Sequence, residues 1–260
     1  MIRPAYSSTR AALVYPPAML KIEPWLSGRD FARGDFQAAQ MRNFVYLVGD
    51  TGTRRSWLVD PAWDAEGLLR KVEDAGFKLA GVLLTHWHPD HAGGDLYGLQ
   101  VEGAARVRER AGVPVLAHRD EAAWLARSAG LREPDVTFFD SDQVLELDAV
   151  RARCLHAPGH TGGSTCFLVW EEGAPPDRPG TLLSGDVLFV GACGRVDLPG
   201  SDPGEMYRSL HERLAALPDD TVVYPGHDYG ERPASTLGEE RQANPYLNFA
   251  SLESWLREMG

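Results

Sequence analysis

Four side chains that can bind a metal ion lie within six consecutive positions of the chain: His86, His88, Asp90 and His91. They directly follow the apolar segment 80–85, which has the composition of a buried β-strand. In an extended chain, residues two positions apart point to the same side, so His86 and His88 can bind one ion together. A turn at the intervening proline would direct Asp90 and His91 to a neighbouring position. Neutral imidazole is a ligand for zinc and iron, and a carboxylate adds a harder oxygen donor.

Three further candidate ligands are distant in the sequence, but each stands at the predicted end of a strand: His160, Asp186 and His227. His160 lies in a glycine-rich loop, and glycine lets the backbone approach a ligand closely. Each of the three would by itself more often be a turn or capping residue. Strand ends can face a shared cleft, so all three together with the first four favour a metal site. Five of the eight histidines of the protein belong to this proposed site.

A site that holds two metal ions is capable of hydrolytic chemistry. Two adjacent cations can hold a hydroxide and polarise a carbonyl group at the same time. A bound water whose pKa is lowered to about 7 is a nucleophile at neutral pH. Asp90 is the candidate catalytic residue, because a positioned carboxylate can accept or orient the proton of that water.

The elements that would position these residues indicate an α/β fold. The patterns predict a hairpin of strands at 44–49 and 56–60 and a further strand at 113–118. They also predict three helices, at 64–75, 102–111 and 119–129. Strands interspersed with helices indicate helices packed outside β-sheets. Prolines and glycines interrupt the first 40 residues, so residues 1–40 are predicted to be an irregular N-terminal extension packed on the core. Residues 41–260 are predicted to form a single domain with a short C-terminal helical tail.

The composition argues against several classes of partner. The chain has 26 basic and 37 acidic residues, a formal net charge of −11, which disfavours phosphate backbones and anionic membranes. No segment approaches the roughly 20 apolar residues that a membrane-spanning helix needs. The three cysteines form no C-x-x-C pair and no clear signal peptide is present, so a cytoplasmic location is expected. We therefore expect neither nucleic acid nor a membrane as a partner.

Four motifs in a fixed order resemble those of the metallo-beta-lactamase superfamily: H-x-H-x-D-H (86–91), P-G-H-T-G-G (158–163), S-G-D (184–186) and P-G-H (225–227). The resemblance covers about residues 40–248. It implies an αββα sandwich of two mixed β-sheets flanked by helices, with the metals at one edge between the sheets.

The resemblance also implies a role for each candidate ligand. His86, His88 and His160 correspond to the ligands of a first ion. Asp90, His91 and His227 correspond to the ligands of a second ion, and Asp186 corresponds to the bridge between the two ions. Two divalent ions are implied, with zinc favoured and iron or manganese as alternatives. Asp60 corresponds to a strand-end aspartate that would orient a ligand histidine. A simple turn residue is the alternative interpretation of Asp60.

Two further motifs resemble the glyoxalase II and persulfide dioxygenase branch of this superfamily: Cys193-Gly194-Arg195 and His227-Asp228-Tyr229. In glyoxalase II the basic residue after Cys-Gly and the tyrosine after the last histidine contact glutathione. The resemblance therefore implies that Arg195 and Tyr229 bind substrate. The alternatives are a surface salt bridge for Arg195 and a packed side chain for Tyr229. The segment 95–100 is a candidate substrate-side loop.

Three hypotheses follow for the activity. The leading one is a metal-dependent hydrolase, a glyoxalase II-like thioesterase that cleaves a hydroxyacylglutathione-type substrate with a metal-bound hydroxide. The second is a mononuclear-iron persulfide dioxygenase that acts on glutathione persulfide and binds a single Fe(II) through His86, His160 and Asp186. The third, a non-catalytic binding protein, is disfavoured because all seven ligand positions are filled.

Overall fold

The computed structural model describes residues 19–174 and 180–260, which form two six-stranded sheets and two short hairpins. The strands are β1 (Leu20–Leu26), β2 (Phe44–Asp50), β3 (Arg55–Val59), β4 (Lys78–Leu83), β5 (Gly94–Leu96), β6 (Leu99–Val101), β7 (Val115–His118), β8 (Val136–Phe139), β9 (Val144–Leu147), β10 (Val150–His156), β11 (Thr165–Glu171), β12 (Thr181–Gly185), β13 (Leu188–Phe189), β14 (Ala192–Cys193), β15 (Val222–Pro225) and β16 (Ser235–Thr236).

Helices occur between and after these strands. The α-helices of the described residues are α1 (Phe36–Met41), α2 (Ala65–Asp74), α3 (Pro89–Ala92), α4 (Ala104–Ala111), α5 (Ala122–Ser128), α6 (Pro203–Arg208), α7 (Leu237–Ala243) and α8 (Leu252–Met259). Helix α6 continues into a π-helical turn (Ser209–Arg213) and a 3-10 turn (Leu214–Ala216). Further 3-10 turns are Arg119–Glu121, Glu133–Asp135 and Pro245–Leu247.

Both large sheets are mixed. The first has the strand order β1-β2-β3-β4-β7-β8, antiparallel from β1 to β3 and parallel from β3 to β8. The second has the order β16-β15-β12-β11-β10-β9, in which only β12 and β15 are parallel. Parallel pairs require crossover connections, and the helices supply several of them. The expected sandwich of two mixed sheets flanked by helices is confirmed.

The buried apolar side chains form three clusters, which hold the two sheets and the outer helices together. Strand β2 is buried along its whole length, and its side chains alternate between two clusters. Val45 and Leu47 pack against α1, α2, α4 and α5, whereas Phe44, Tyr46 and Val48 face the second sheet. This alternation follows from the two-residue period of a strand. A third cluster packs the outer face of the second sheet against α6, α7 and α8.

The N-terminal region differs from its prediction. Strand β1 pairs with β2 from Leu20↔Asp50 to Leu26↔Phe44, so the expectation of an irregular segment through residue 40 is wrong for 20–26. Pro24 is compatible with this strand because β1 lies at the edge of the sheet, where a missing N–H costs little. Residues 1–18 lie outside the described residues, and the domain division at residue 40 stays a prediction.

Side-chain caps begin two of the later helices, and the predicted loop at 95–100 differs from its prediction. The Asp202 side chain accepts a hydrogen bond from the Glu205 backbone and begins α6, and Thr236 with Glu239 forms the capping box of α7. The segment 95–100 is not an open loop but a small hairpin of β5 and β6. The side chain at its tip, Tyr97, is 92% exposed. Among the described residues, no helix has the length and apolar character needed to cross a membrane.

The C-terminal helix gives a test of the third cluster. Trp255 of α8 is fully buried, and its indole N–H donates a hydrogen bond to the Pro203 carbonyl oxygen at 2.6 Å. We expect Trp255→Ala to lower the free energy of unfolding by about 3–5 kcal/mol, because it leaves a cavity and an unpaired carbonyl. Its neighbour Leu256 is 41% exposed, so Leu256→Ala should cost less than about 1 kcal/mol. Equal costs in urea titrations of the two variants would contradict this packing.

Candidate metal centre

The seven predicted ligands come from loops that follow four strands at one edge of the sandwich. His86 and His88 lie between β4 and α3, and α3 itself contributes Asp90 and His91. The remaining ligands follow β10, β12 and β15 and are His160, Asp186 and His227. The structure therefore brings together all seven residues that the sequence singled out.

Backbone hydrogen bonds join the two sheets at this edge and fix the ligand loops. Phe44 N donates to Gly226 O at 2.8 Å, and Gly226 N donates to Gly185 O at 2.8 Å. On the other side of the site, Thr165 N donates to Thr85 O at 2.9 Å. A Cβ atom on Gly226 would collide with the Asp186 carboxylate. The glycine before the last histidine is therefore required by close packing against a ligand.

The first ligand set consists of His86, His88 and His160. Their candidate ligand atoms all lie within 4.8 Å of one another. His88 Nδ1 and His160 Nε2 are 2.9 Å apart. Burial, followed by repulsion from neighbouring imidazoles, lowers the pKa of His88 to about 3. Burial likewise lowers the pKa of His86 and of His160, so all three rings are neutral, as metal ligation requires.

The second ligand set consists of Asp90, His91 and His227. His91 Nε2 lies 3.1 Å from His227 Nε2, and Asp90 Oδ2 lies 3.4 Å from His227 Nε2. Burial disfavours charge here, but attraction to Asp186 and hydrogen bonding to Asp186 and Asp90 together outweigh it and raise the pKa of His227 to about 9. The same balance raises the pKa of His91. For Asp90, burial is outweighed by attraction to His91 together with the contacts to His227, which keep the pKa of the carboxyl below its ordinary value.

Asp186 lies between the two sets. Its Oδ2 is 3.6 Å from His160 Nε2 of the first set and 3.3 Å from His227 Nε2 of the second. Its Oδ1 lies 3.3 Å from His91 Nε2 without accepting a hydrogen bond. A carboxylate that reaches both sets in this way has the position of a bridge between two ions.

Two buried atoms support the interpretation of this cluster as a metal centre. His86 Nε2 and Asp186 Oδ1 have no hydrogen-bond partner among the described residues. A buried acceptor without a donor costs about 1–3 kcal/mol, so such atoms are rare unless another group satisfies them. A divalent cation accepts lone pairs from both atoms, and the imidazole and carboxylate donors suit zinc or iron. The residues therefore fit a divalent metal.

Hydrogen bonds to the far ring nitrogen fix the orientation of four ligand histidines. His160 Nδ1 donates to Arg195 O at 2.8 Å, and His227 Nδ1 donates to Met41 O at 2.7 Å. A carbonyl oxygen can only accept, so the proton is on Nδ1 in both rings. When the ring is neutral, as ligation requires, this tautomer leaves the Nε2 lone pair free to face the site.

Asp60 fixes the other two rings. Its Oδ2 accepts from His91 Nδ1 at 3.1 Å and from Thr85 Oγ1 at 2.6 Å. Because the Thr85 hydroxyl donates its only hydrogen to Asp60, it accepts a hydrogen bond from His86 Nδ1 at 2.9 Å. Asp60 has a left-handed backbone with φ 53°, which is strained for a residue other than glycine. These contacts support the orienting role that the resemblance implies for Asp60, and this role stays a prediction.

Two buried residues beside the site were missed in the sequence. The Asn43 amide accepts from Trp63 Nε1 at 2.9 Å, and its NH2 group then donates to Asp90 Oδ2 at 3.0 Å. Glu121 contacts the loops that carry the first ligand set. The only sequence signal for Asn43 is that it is a polar residue at the start of a buried strand. Glu121 has no sequence signal apart from its place in a predicted helix.

The two predicted substrate residues differ in their surroundings. The Tyr229 ring stacks on the His227 ring with centroids 4.5 Å apart and is 53% exposed, so it lies at the rim of the second set. The backbone of Arg195 holds His160, but its guanidinium forms two 2.9 Å hydrogen bonds with Asp197. The surface salt bridge considered for Arg195 is thus present, and its contact with substrate stays a prediction.

A further cluster of possible ligands lies outside the centre. His118, Asp120 and His156 also have ligand atoms within 4.8 Å of one another. The rings of His118 and His156 are stacked at 4.0 Å and are nearly parallel, at 8°. Imidazole lone pairs lie in the ring plane, so two parallel stacked rings cannot direct them at one ion. His156 Nε2 instead donates to Gly162 O at 2.9 Å.

Comparison with known proteins identifies the family. Residues 40–227 match the model of the metallo-beta-lactamase superfamily, and the chain belongs to this superfamily. Hydroxyacylglutathione hydrolase GloC of Haemophilus influenzae is 31% identical over 75% of this chain and 88% of the relative. The crystal structure of ETHE1 from Myxococcus xanthus is similar with a TM-score of 0.70 and 28% identity, covering 85% of this chain and 86% of that one.

A solved structure in a metal-bound form is also similar. TTHA1623 in a di-iron-bound form has a TM-score of 0.58 and 33% identity, covering 80% of this chain and 96% of that one. That protein binds two irons, and this chain has a His/Asp cluster that supports divalent metal binding.

The contacts of Asp60 predict its effect on metal binding. In Asp60→Asn, an amide NH2 replaces one acceptor oxygen, so the bonds from Thr85, His91 or both are lost. We expect zinc affinity to fall about 10–100-fold, because the ligand rings lose their orientation. Asp74→Asn changes an exposed aspartate of α2 and serves as the control. Competition with a chelating dye measures both variants, and equal affinities would show that Asp60 does not orient the ligands.

Proposed function

We propose that this protein is a metal-dependent hydrolase that cleaves a thioester of the hydroxyacylglutathione type. The observation that carries the proposal is the complete pair of ligand sets, joined by Asp186. The similarity to hydroxyacylglutathione hydrolase GloC over most of both chains supports the substrate class.

Two bound divalent ions would lower the pKa of a water molecule and polarise the carbonyl group of the substrate. The residues of the chain hold and orient this centre. Neutral imidazoles form the first set, and the second adds the carboxylate of Asp90. The NH2 group of Asn43 donates to Asp90 Oδ2 and fixes its orientation. Asp90 is thereby the carboxylate that we assign to accept or orient the proton of the attacking water.

The rim of the site offers a place for the thiol half of the substrate. Tyr229 stacks on His227 and keeps half of its surface exposed, so its ring can pack against a bound substrate. Arg195 lies next to the first set, where an anionic group of the substrate could compete with Asp197 for the guanidinium. We assign both residues to substrate binding. A small-molecule substrate and a cytoplasmic location remain part of the proposal.

The second candidate function is a persulfide dioxygenase with a single iron. It is favoured by the similarity to the Myxococcus xanthus ETHE1 structure together with the resemblance of the motifs. This reaction would use His86, His160 and Asp186 and would not need the second set. The hydrolase is preferred because hydroxyacylglutathione hydrolase GloC is 31% identical over 75% of this chain and 88% of the relative.

His227→Ala separates the two functions, because it removes a ligand of the second set only. For the hydrolase, we expect turnover of S-lactoylglutathione, followed as released thiol, to fall at least about 100-fold, the loss expected when one ion no longer stabilises the transition state. His211→Ala changes a half-buried histidine that contacts Tyr207 and the Tyr246 carbonyl rather than a predicted ligand, so this variant should retain turnover.

The dioxygenase gives the opposite pattern in the same variants. Oxygen uptake with glutathione persulfide, in place of thioester cleavage, would overturn the proposal. His227→Ala with full oxygen uptake would assign the reaction to the first set alone.

A further inference from the structure

Glu121 is a buried carboxylate that belongs to neither ligand set. Its side chain is almost fully buried, and three donors point at it. Oε2 accepts from Trp87 N at 2.7 Å, and Oε1 accepts from Gly163 N at 2.6 Å and from Thr161 Oγ1 at 2.8 Å. Burial raises the pKa of Glu121 to about 7, although all three hydrogen bonds favour the ionised form. Burying a carboxylate costs free energy, and these three hydrogen bonds offset part of that cost.

The three donors come from the two loops that carry the first ligand set. Trp87 lies between His86 and His88 in the chain, and Thr161 directly follows His160. One carboxylate therefore links the two loops that must approach each other for three imidazoles to bind a single ion.

A neighbouring glycine shows that the close approach is built into the loop. A Cβ atom on Gly163 would lie 2.6 Å from Glu121 Cγ and 2.7 Å from its Oε1. A Cβ atom on the adjacent Gly162 would have no heavy atom within 4 Å. Of these two glycines, only Gly163 is required by the position of the carboxylate.

The helix after Glu121 makes a second contact with the same loop. Trp124 lies one turn along α5 and stacks on the Trp87 ring, with centroids 4.6 Å apart and an angle of 11°. The Trp87 ring in turn packs edge-on against the His88 ring at 4.4 Å. Helix α5 and the residue before it thus hold both the backbone and the side chain between the two histidines.

The second ligand set is held by other residues. His91 bonds to Asp60, His227 bonds to the Met41 carbonyl, and Asp90 bonds to Asn43. None of the hydrogen bonds found for Glu121 among the described residues goes to these groups. An effect of Glu121 on metal binding should therefore be confined to the first set.

We propose that Glu121 is the positioning residue of the first metal site, which holds the His86–His88 loop and the His160 loop at the separation that one ion requires. Without this link, the ion must supply more of the ordering of the two loops, so its affinity falls. The proposal needs the two-set metal centre but is independent of which reaction the centre catalyses.

Glu121→Gln changes the charge and the donors with almost no change in shape. A carboxamide has one oxygen and one NH2 group, so in either orientation an N–H group faces one of the present donors. Since a backbone N–H cannot accept, either the bond from Trp87 N or the bond from Gly163 N is lost, while the packing is kept. Gly163→Ala perturbs the same contact from the other side, and Gly162→Ala is its matched control.

The experiment measures zinc affinity with a competing chelating dye in two backgrounds, without substrate. In His227→Ala protein, which keeps the first set, we expect Glu121→Gln and Gly163→Ala each to weaken zinc binding about 10–100-fold, as for other residues that orient ligands. Gly162→Ala should leave the affinity unchanged. In His88→Ala protein, which keeps the second set, Glu121→Gln should have no effect.

Melting temperatures of the metal-free variants separate positioning from general destabilisation. An unchanged zinc affinity of both Glu121→Gln and Gly163→Ala in the His227→Ala background would overturn the proposal. Equal weakening in both backgrounds, with a lower melting temperature of the metal-free protein, would also overturn it and assign Glu121 a purely structural role. Failure of thioester hydrolysis in the unaltered protein would leave these outcomes unaffected.

Discussion

The structure depends on keeping five imidazoles and two carboxylates close together inside an apolar sandwich. Burying these groups is costly unless each polar atom has a partner. Four of the histidines meet this requirement by donating from Nδ1 to a carboxylate, a hydroxyl or a carbonyl group. This donation directs Nε2 towards the centre, so the same hydrogen bonds that make burial tolerable also prepare the site for a cation.

The architecture of the sandwich follows from that constraint. The ligands come from both sheets, so the edge where they meet has to be fixed by backbone contacts rather than by flexible loops. Hydrogen bonds between Phe44 and Gly226 and between Thr165 and Thr85 join the sheets there. Asp60 and Glu121 add carboxylates that tie neighbouring loops to the site. The strained backbone of Asp60 indicates that the orientation of the ligands is maintained against a local conformational cost.

Spacing and strand ends singled out the seven side chains that the structure brings together, since His86 and His88 follow a buried strand and the others follow apolar segments. Their roles as ligands follow from the resemblance and stay a prediction. The two-sheet sandwich followed from the resemblance. Strand β1 was missed because prolines and half-buried side chains obscure its period, and only pairing with β2 reveals it. Asn43 and Glu121 were missed because their partners are distant in the sequence, and no local pattern identifies such contacts.

The metal content per chain tests the central claim most directly. Elemental analysis of protein purified without added metal measures it, with dialysis against excess zinc as the second step. Two complete ligand sets bridged by Asp186 predict close to two divalent ions per chain. A single iron that excess zinc does not supplement would contradict the dinuclear centre. Protein that binds no metal even after reconstitution would contradict the metal centre altogether.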